Sequence, residues 1–302
     1  MINNNPSMAS EQMSKEPRKR YPTDLTDAQW ALVAALLAPV KPGRPGAFQS
    51  TVDRREIINA ILYRLKTGCQ WEMLPHDLLP PSTVHEYFQR WEQDGTWQRI
   101  LDSLRQQVRV QAGRAPSPSL GVIDSQSVPS TAVGGAERGY DGGKKIKGRK
   151  RHIVTDSMGL LLAVFVTSAR VDDGRAAPKV VNRATAVDFP RLQLILGDNK
   201  YHNHEFRASF FANGRAIRLQ IALRPEGAKG FVVIKQRWVV ERTFAWLGNY
   251  RCLNREYEKT TEASETNVKI AMIHILLRRL QPRKPPDEIA EQLAASEMLK
   301  VA

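Results

Sequence analysis

The chain has 302 residues, of which 42% are hydrophobic, and its 45 Lys and Arg against 31 Asp and Glu give a formal net charge of +14 and a pI near 10.0. This composition excludes a disordered basic tail, and the length suffices for a full core, most simply in two domains. A folded chain this basic favours nucleic acid as its partner, because neutralising phosphates releases counterions. Ribosome-like and membrane-surface binding are the weaker alternatives.

The cysteines and the hydropathy indicate the reducing compartment of the cell. Cys69 and Cys252 are far apart and form no CxxC pair, so neither a zinc site nor a disulfide framework is indicated. The N-terminus has no apolar signal core, and no run approaches the roughly 18 apolar residues of a membrane span. We expect a cytoplasmic, nucleoid-associated protein.

The first third of the chain is predicted to be helical. Residues 1–20 are polar and should form a disordered basic arm, and residues 21–112 should form an all-α, helix-turn-helix-like DNA-binding domain. A plain helical bundle fits residues 21–112 about equally well. Its helices are predicted to begin at Thr26, at Asp53, at a capping box of Thr83 and Glu86, and at Thr96.

Residues 113–119 are a linker by composition, and an apolar strand from Leu120 to Val128 follows. Alternation sets Val122 and Asp124 on one face of that strand. A carboxylate in a strand that otherwise reads as buried is costly unless a cation or hydrogen bonds satisfy it. Alone, Asp124 is more simply a strand-end acid that reaches water or caps the next turn.

A glycine-rich connection then runs from Ser125 to Gly148 and ends in a basic run. Glycines allow close backbone approach and basic side chains neutralise phosphate, so this run is predicted to bind the DNA backbone, ahead of being a solvated face. The basic residues concerned are Lys144, Lys145, Lys147, Arg149, Lys150 and Arg151.

The second half alternates strands and helices. A hairpin is predicted over 153–166, a helix over 176–186, and a buried strand over 191–196 that leads directly into Asp198. The stretch 236–247 is predicted to be a helix whose Glu241 lies outside the apolar stripe, one turn after Arg237. Taken singly, Asp198 is typical of an Asx-turn and Glu241 of a surface ion pair.

Histidines follow Asp198 closely. His202 and His204 could suggest a metal pair. Spaced two apart, they are more simply polar residues at the start of a helix.

Together the elements give the order β-β-β-α-β-α, with Asp124 in the central strand, Asp198 just past a strand end and Glu241 on a helix. The predicted fold class is therefore α/β: a ribonuclease-H-like mixed sheet flanked by helices, over residues 120–281. Three such carboxylates can hold two Mg²⁺ ions around one scissile phosphate. Residues 282–302 are predicted to form a C-terminal tail.

The sequence also resembles the DDE transposases of bacterial insertion sequences, specifically the insertion sequence five family, from about Tyr21 to Leu280. The motifs that carry the resemblance are YPTDLTDAQW, GCQWEMLP, VIDSQSV, GYDGGKKIKGRKRHIVTDSMGLLL, ILGDNKY and WVVERTFAWLGNYR. The resemblance implies that Asp124, Asp198 and Glu241 are the catalytic and metal-binding acids.

The resemblance further implies Mg²⁺ as cofactor, with Mn²⁺ as a substitute, and DNA as substrate: the terminal inverted repeats of the element and a target. Arg237 would orient Glu241 or contact phosphate. The chain departs from the wider family signature at Ile234, where a Tyr is usual, and at Gly248, where a Lys is usual. Arg251 or Arg255 is the candidate to replace that lost phosphate contact.

The predicted reaction is hydrolysis at the transposon ends followed by strand transfer, carried out by a homodimer or higher assembly because two ends must be cut together. Two alternatives remain open. One is a catalytically decayed or repurposed DNA-binding protein, and the other is a ribonuclease-H-like nuclease that cleaves without joining.

Overall fold

The computed structural model describes residues 18–38, 52–132, 135–186, 189–201, 217–221 and 237–283. Most of the predicted N-terminal arm and C-terminal tail lies outside these residues, as do His202, His204 and Ile234. Among the described residues, no helix combines the length and apolar character needed to cross a membrane.

The N-terminal region is helical where the structure describes it, as the sequence predicts. Thr26 accepts a hydrogen bond from the backbone of Gln29 at the first helix, and Gly68 ends the second in the left-handed conformation, at φ +76°. The helices are α1 (Asp27–Ala34), α2 (Arg54–Thr67), α3 (Pro81–Gln93) and α4 (Thr96–Gln111), with a 3-10 turn at Trp71–Met73.

The capping box predicted for α3 is wrong. The helix begins at Pro81, two residues before Thr83, and no side chain caps it. Proline suits the first helical position because its fixed φ is already helical and its missing N–H would have no partner there. Thr83 therefore lies inside the first turn.

A mixed sheet follows. Its strands among the described residues are β1 (Leu120–Pro129), β2 (Gly139–Asp141), β3 (Ile146–Asp156), β4 (Leu161–Ser168), β5 (Leu194–Gly197) and β6 (Arg218–Ile221). β1 pairs antiparallel with β3 on one side and parallel with β5 on the other, β6 continues beyond β5, and β2 and β4 both pair with the far edge of β3. The later helices among the described residues are α5 (Asp173–Ala186), α6 (Trp238–Gly248) and α7 (Thr261–Leu280).

This arrangement confirms the predicted fold class and the central position of the strand that carries Asp124. The connection after Asp124 is shorter than predicted, because β1 continues to Pro129 and β3 begins at Ile146. The predicted hairpin corresponds to β3, β4 and the turn between them.

The two faces of the sheet are covered by different helices. Val122, with Val240 of α6, belongs to a hydrophobic cluster that includes α7 and the four N-terminal helices. Ile123, the next residue, belongs to a second cluster with α5. The alternation of β1 therefore sets Asp124 on the face covered by α6, and Ser125 on the face covered by α5. That residues 21–112 form a domain separable from 120–281 stays a prediction, since both contribute to the first cluster.

Candidate active site

Asp124 and Asp198 lie on neighbouring parallel segments. β1 pairs with β5 so that Val122 stands opposite Leu196. The same register, continued by two residues, brings Asp124 beside Asp198 just past the end of β5. Each carboxylate also accepts a local backbone hydrogen bond, Asp124 from Ser125 at 2.7 Å and Asp198 from Lys200 at 3.0 Å. The sheet thus brings two of the three predicted acids together.

The electrostatics of this pair favour a bound cation. The pKa of Asp124 is raised to about 6, chiefly by burial and also by the negative charge of Asp198, against the hydrogen bond from Ser125 and the positive charges of Arg237 and Lys144, which lower it. Because the raising effects prevail, the positive charge that the protein supplies does not offset the cost of burying the Asp124 carboxylate. A divalent cation would do so, and carboxylate oxygens are the ligands that Mg²⁺ prefers.

Glu241 is positioned by α6, which packs on the same face of the sheet as Asp124. Val240, Phe244 and Leu247 form the predicted buried stripe of this helix, and Glu241 lies outside it, about half exposed. The guanidinium of Arg237 is 3.9 Å from the Glu241 carboxylate. Since Arg237 also lowers the pKa of Asp124, its charge acts on both acids.

The three acids do not together form a three-ligand metal site in this structure. Among the described residues, no group of three His, Cys, Asp or Glu side chains lies close enough to hold a metal ion. Asp124 and Asp198 fit a divalent cation because both are carboxylates, the register sets them side by side, and burial disfavours an unpaired charge on Asp124. Glu241 is on the correct face, but it is paired with Arg237 and does not reach the other two carboxylates as a third ligand.

The basic run divides into an exposed and a buried half. Lys144, Lys145 and Lys147 are exposed, and Asp141 holds the turn before them by accepting hydrogen bonds from the backbone of Gly143 and Lys144. Lys145 has a positive φ of 55° within this turn. The exposure of these lysines is compatible with contact to a phosphate backbone, and their role in DNA binding stays a prediction.

The prediction that Arg149, Lys150 and Arg151 bind DNA does not hold in this structure, because β3 carries their side chains into the protein. Arg149 and Arg151 are at most 1% exposed and lie 3.6 and 3.2 Å from the carboxylate of Glu256. Lys150 lies 3.1 Å from Asp173. These three cations neutralise internal acids and support the fold.

Arg251, the last predicted DNA contact, is exposed in a 3-10 turn at Arg251–Leu253 that follows α6. Its proposed role in phosphate binding is compatible with that exposure.

The structure also reveals a polar residue that sequence reasoning missed. Asp173, which precedes the helix predicted over 176–186, is the first residue of α5, is buried, and accepts a hydrogen bond from the hydroxyl of Ser125 at 2.8 Å. Two adjacent acids ahead of a helical pattern signal a helix start, but not that one of them is buried.

Comparisons with known proteins agree with this geometry. Residues 25–101 match the family model described as "Putative transposase of IS4/5 family", and residues 115–276, more than half of the chain, match the model described as "Transposase DDE domain". The chain is 30% identical over 129 residues to a Burkholderia cepacia protein named "Putative transposase for insertion sequence element IS402". That match covers 41% of this chain and 60% of the relative, so the chain spans less than two thirds of that protein.

A second relative from Burkholderia cepacia is named "Insertion element IS402 uncharacterized 16.2 kDa protein". It is 31% identical over 115 residues, which cover 36% of this chain and 76% of the relative. The family match covers the strands and helices that carry Asp124, Asp198 and Glu241. This chain belongs to the family of insertion-sequence transposases with a DDE domain.

Proposed function

We propose that the protein is an active DNA transposase, which binds the terminal inverted repeats of an insertion sequence, cleaves the ends and joins them to target DNA. The observation that carries this proposal is the pair of Asp124 and Asp198, set side by side by the parallel register of β1 and β5. Family membership supports DNA as the substrate, and the net charge of +14 supports it independently.

Asp124 and Asp198 would hold Mg²⁺, or Mn²⁺ in its place, and Glu241 would complete the site. When bound, the metal activates the attacking oxygen and stabilises the leaving oxygen at the scissile phosphate. The predicted chemistry uses water as the first nucleophile, and the freed 3′-hydroxyl then attacks the target DNA.

The chain's own residues supply orientation and charge. Arg237 orients Glu241, whose carboxylate lies 3.9 Å from its guanidinium, and in DNA-bound protein it contacts a phosphate near the cleaved bond. Lys144, Lys145 and Lys147 bind the DNA backbone next to β1, where the amine of Lys144 already lies 3.1 Å from the carbonyl of Ser125. Arg251 adds a backbone contact beyond the end of α6.

Sequence recognition falls to the helical region that matches the IS4/5 family model. Two ends must be cut together, so the active form is at least a homodimer on DNA. Because chromosomal DNA is the substrate, the protein acts in the cytoplasm, at the nucleoid.

One assay tests the proposal. Purified full-length protein and Mg²⁺ are given labelled DNA carrying the element's terminal repeats, together with a supercoiled target plasmid. End cleavage followed by a joined product supports the transposase. Cleavage without joining supports a ribonuclease-H-like nuclease instead. Binding without cleavage supports a decayed or repurposed DNA-binding protein. Either of these two results overturns the proposal.

A further inference from the structure

A second polar cluster lies behind the candidate active site, on the face of β1 opposite Asp124. Its centre is Asp173, the first residue of α5, which is 5% exposed. Its Oδ1 atom accepts a hydrogen bond from the hydroxyl of Ser125 at 2.8 Å and lies 3.1 Å from the amine of Lys150. Ser125 directly follows Asp124, so this hydrogen bond anchors the backbone that carries the first acid.

The same carboxylate also reaches the segment that carries the second acid. Its Oδ2 atom lies 3.8 Å from the amine of Lys200, two residues after Asp198. Tyr201, the next residue, is buried, and burial and the nearby negative charges of Asp124, Asp173 and Asp198 raise the pKa of its hydroxyl. Asp173 therefore links the two strand segments whose spacing sets the distance between Asp124 and Asp198.

Asp173 is ionised in this cluster and therefore contributes a negative charge behind the acid pair. Burial alone would raise its pKa, but the hydrogen bond from Ser125 and the charge of Lys150 outweigh burial and lower it. Lys150 has two acidic neighbours, Asp173 at 3.1 Å and Asp141 at 3.5 Å. Without the Asp173 charge, Lys150 would present excess positive charge behind the acid pair.

We propose that Asp173 is a positioning residue that fixes Asp124 and Asp198 at the separation a divalent cation needs. It is not itself a ligand, because one of its oxygens is taken by Ser125 and Lys150 and the other faces Lys200. This inference rests on the proposed metal-dependent function. It adds a fourth acid on which the reaction depends, beyond the three that the family resemblance implies.

The test measures Mn²⁺ binding to the full-length protein without DNA, from the electron paramagnetic resonance signal of free Mn²⁺. Asp173→Asn keeps the size and an acceptor for Ser125 but removes the charge, and should weaken Mn²⁺ binding by about tenfold, as loss of a group that orients a metal ligand does. Ser125→Ala removes only the hydrogen bond and should weaken it by a smaller factor. Asp173→Glu, which restores the charge, should recover part of the affinity.

The matched control is Asp102→Asn, which removes the same charge from a different ion pair, with Arg105 in α4. It should leave Mn²⁺ affinity unchanged. All variants should bind terminal-repeat DNA as the parent protein does. Circular dichroism reports folding, and if Asp173→Asn fails to fold, Ser125→Ala decides alone.

Two outcomes separate the inference from the proposed function. If the parent protein binds Mn²⁺ and the folded Asp173→Asn and Ser125→Ala variants bind it equally well, the positioning role is refuted while the metal site stands. If the parent protein binds no Mn²⁺, the proposed metal site fails and the inference fails with it.

Discussion

The guanidinium of Arg237 lies 3.9 Å from the carboxylate of Glu241, one helical turn along α6, and its positive charge also lowers the pKa of Asp124. Arg237 thus acts both on Glu241 of α6 and on Asp124 of the central strand. In the absence of a metal ion, its guanidinium supplies part of the positive charge near these acids. Its loss should therefore raise the pKa of Asp124.

The first prediction concerns the pH dependence of cleavage. Arg237→Gln removes a charge that lowers the pKa of Asp124, so that pKa rises above its value of about 6. Since the ionised carboxylate is the form that binds a cation, a higher pKa leaves less of it at a given pH. The acid limb of the cleavage rate should shift upward by about half a unit to one unit, the usual effect of a nearby charge.

The control is Arg242→Gln on the same helix, where Arg242 stacks between Trp238 and Trp246. It should leave the acid limb in place. An Arg237→Gln profile with an unmoved or downward-shifted acid limb would contradict the assigned role of Arg237.

The second prediction concerns the exposed lysines. Changing Lys144, Lys145 and Lys147 to Gln should flatten the salt dependence of DNA binding, since each lost phosphate contact reduces the slope of log K against log salt by about 0.9. Filter binding at several salt concentrations measures the slope. The melting temperature should not change, because all three side chains are exposed. An unchanged slope would make this run a solvated face.

The third prediction concerns the buried half of the basic run. Arg151→Gln should lower the free energy of unfolding by about 3–5 kcal/mol, because it removes one partner of a buried ion pair with Glu256. It also removes a donor to the carbonyl of Leu253. Denaturant unfolding measures the loss, and Arg151→Lys, which keeps the charge, should lose less. Unchanged stability with weakened DNA binding would restore Arg151 to the DNA surface.

The fourth prediction concerns stability at low pH. Burial, with Arg278 and other nearby positive charges, lowers the pKa of His274 to about 3, against an ordinary value of about 6.5. Between these values the unfolded chain takes up a proton at this position and the folded chain does not, so stability falls as the pH drops from about 6.5 toward 3. One such group contributes a slope of up to about 1.4 kcal/mol per pH unit.

His274→Asn should remove that part of the slope, as measured by urea unfolding at a series of pH values. His152, whose pKa burial lowers to about 4, remains in the variant and keeps its own share. A slope that does not change in His274→Asn would show that the imidazole is protonated in the folded protein.

Much of the fold could be predicted because it depends on periodicity and local signals. The apolar stripe of α2, the glycine that ends it at Gly68, and the hairpin of β3 and β4 all follow from neighbouring residues. The pairing of Asp124 with Asp198 could be predicted only from the order of elements. That order places both on adjacent strands once β1 is central.

The errors come from burial, which depends on partners distant in sequence. The run from Lys144 to Arg151 looks uniformly basic, yet β3 is buried on both faces from Gly148 onward, so Arg151 meets Glu256 about a hundred residues later in the chain. For the same reason the burial of Asp173 at the start of α5 could not be predicted from its neighbours in the sequence. The separation of Glu241 from the acid pair likewise depends on packing of α6, which no local pattern encodes.

The most direct test of the central claim compares Asp124→Asn with the parent protein in a single cleavage assay on labelled terminal-repeat DNA with Mg²⁺. The variant should fold and bind the DNA with parental affinity, because Asn preserves the shape of the Asp124 side chain and removes a charge that burial disfavours. It should cleave at least about a thousandfold more slowly, since it lacks one of the two acids that would hold the metal. Full cleavage by Asp124→Asn would contradict the assignment of Asp124 and Asp198 as the metal-binding pair.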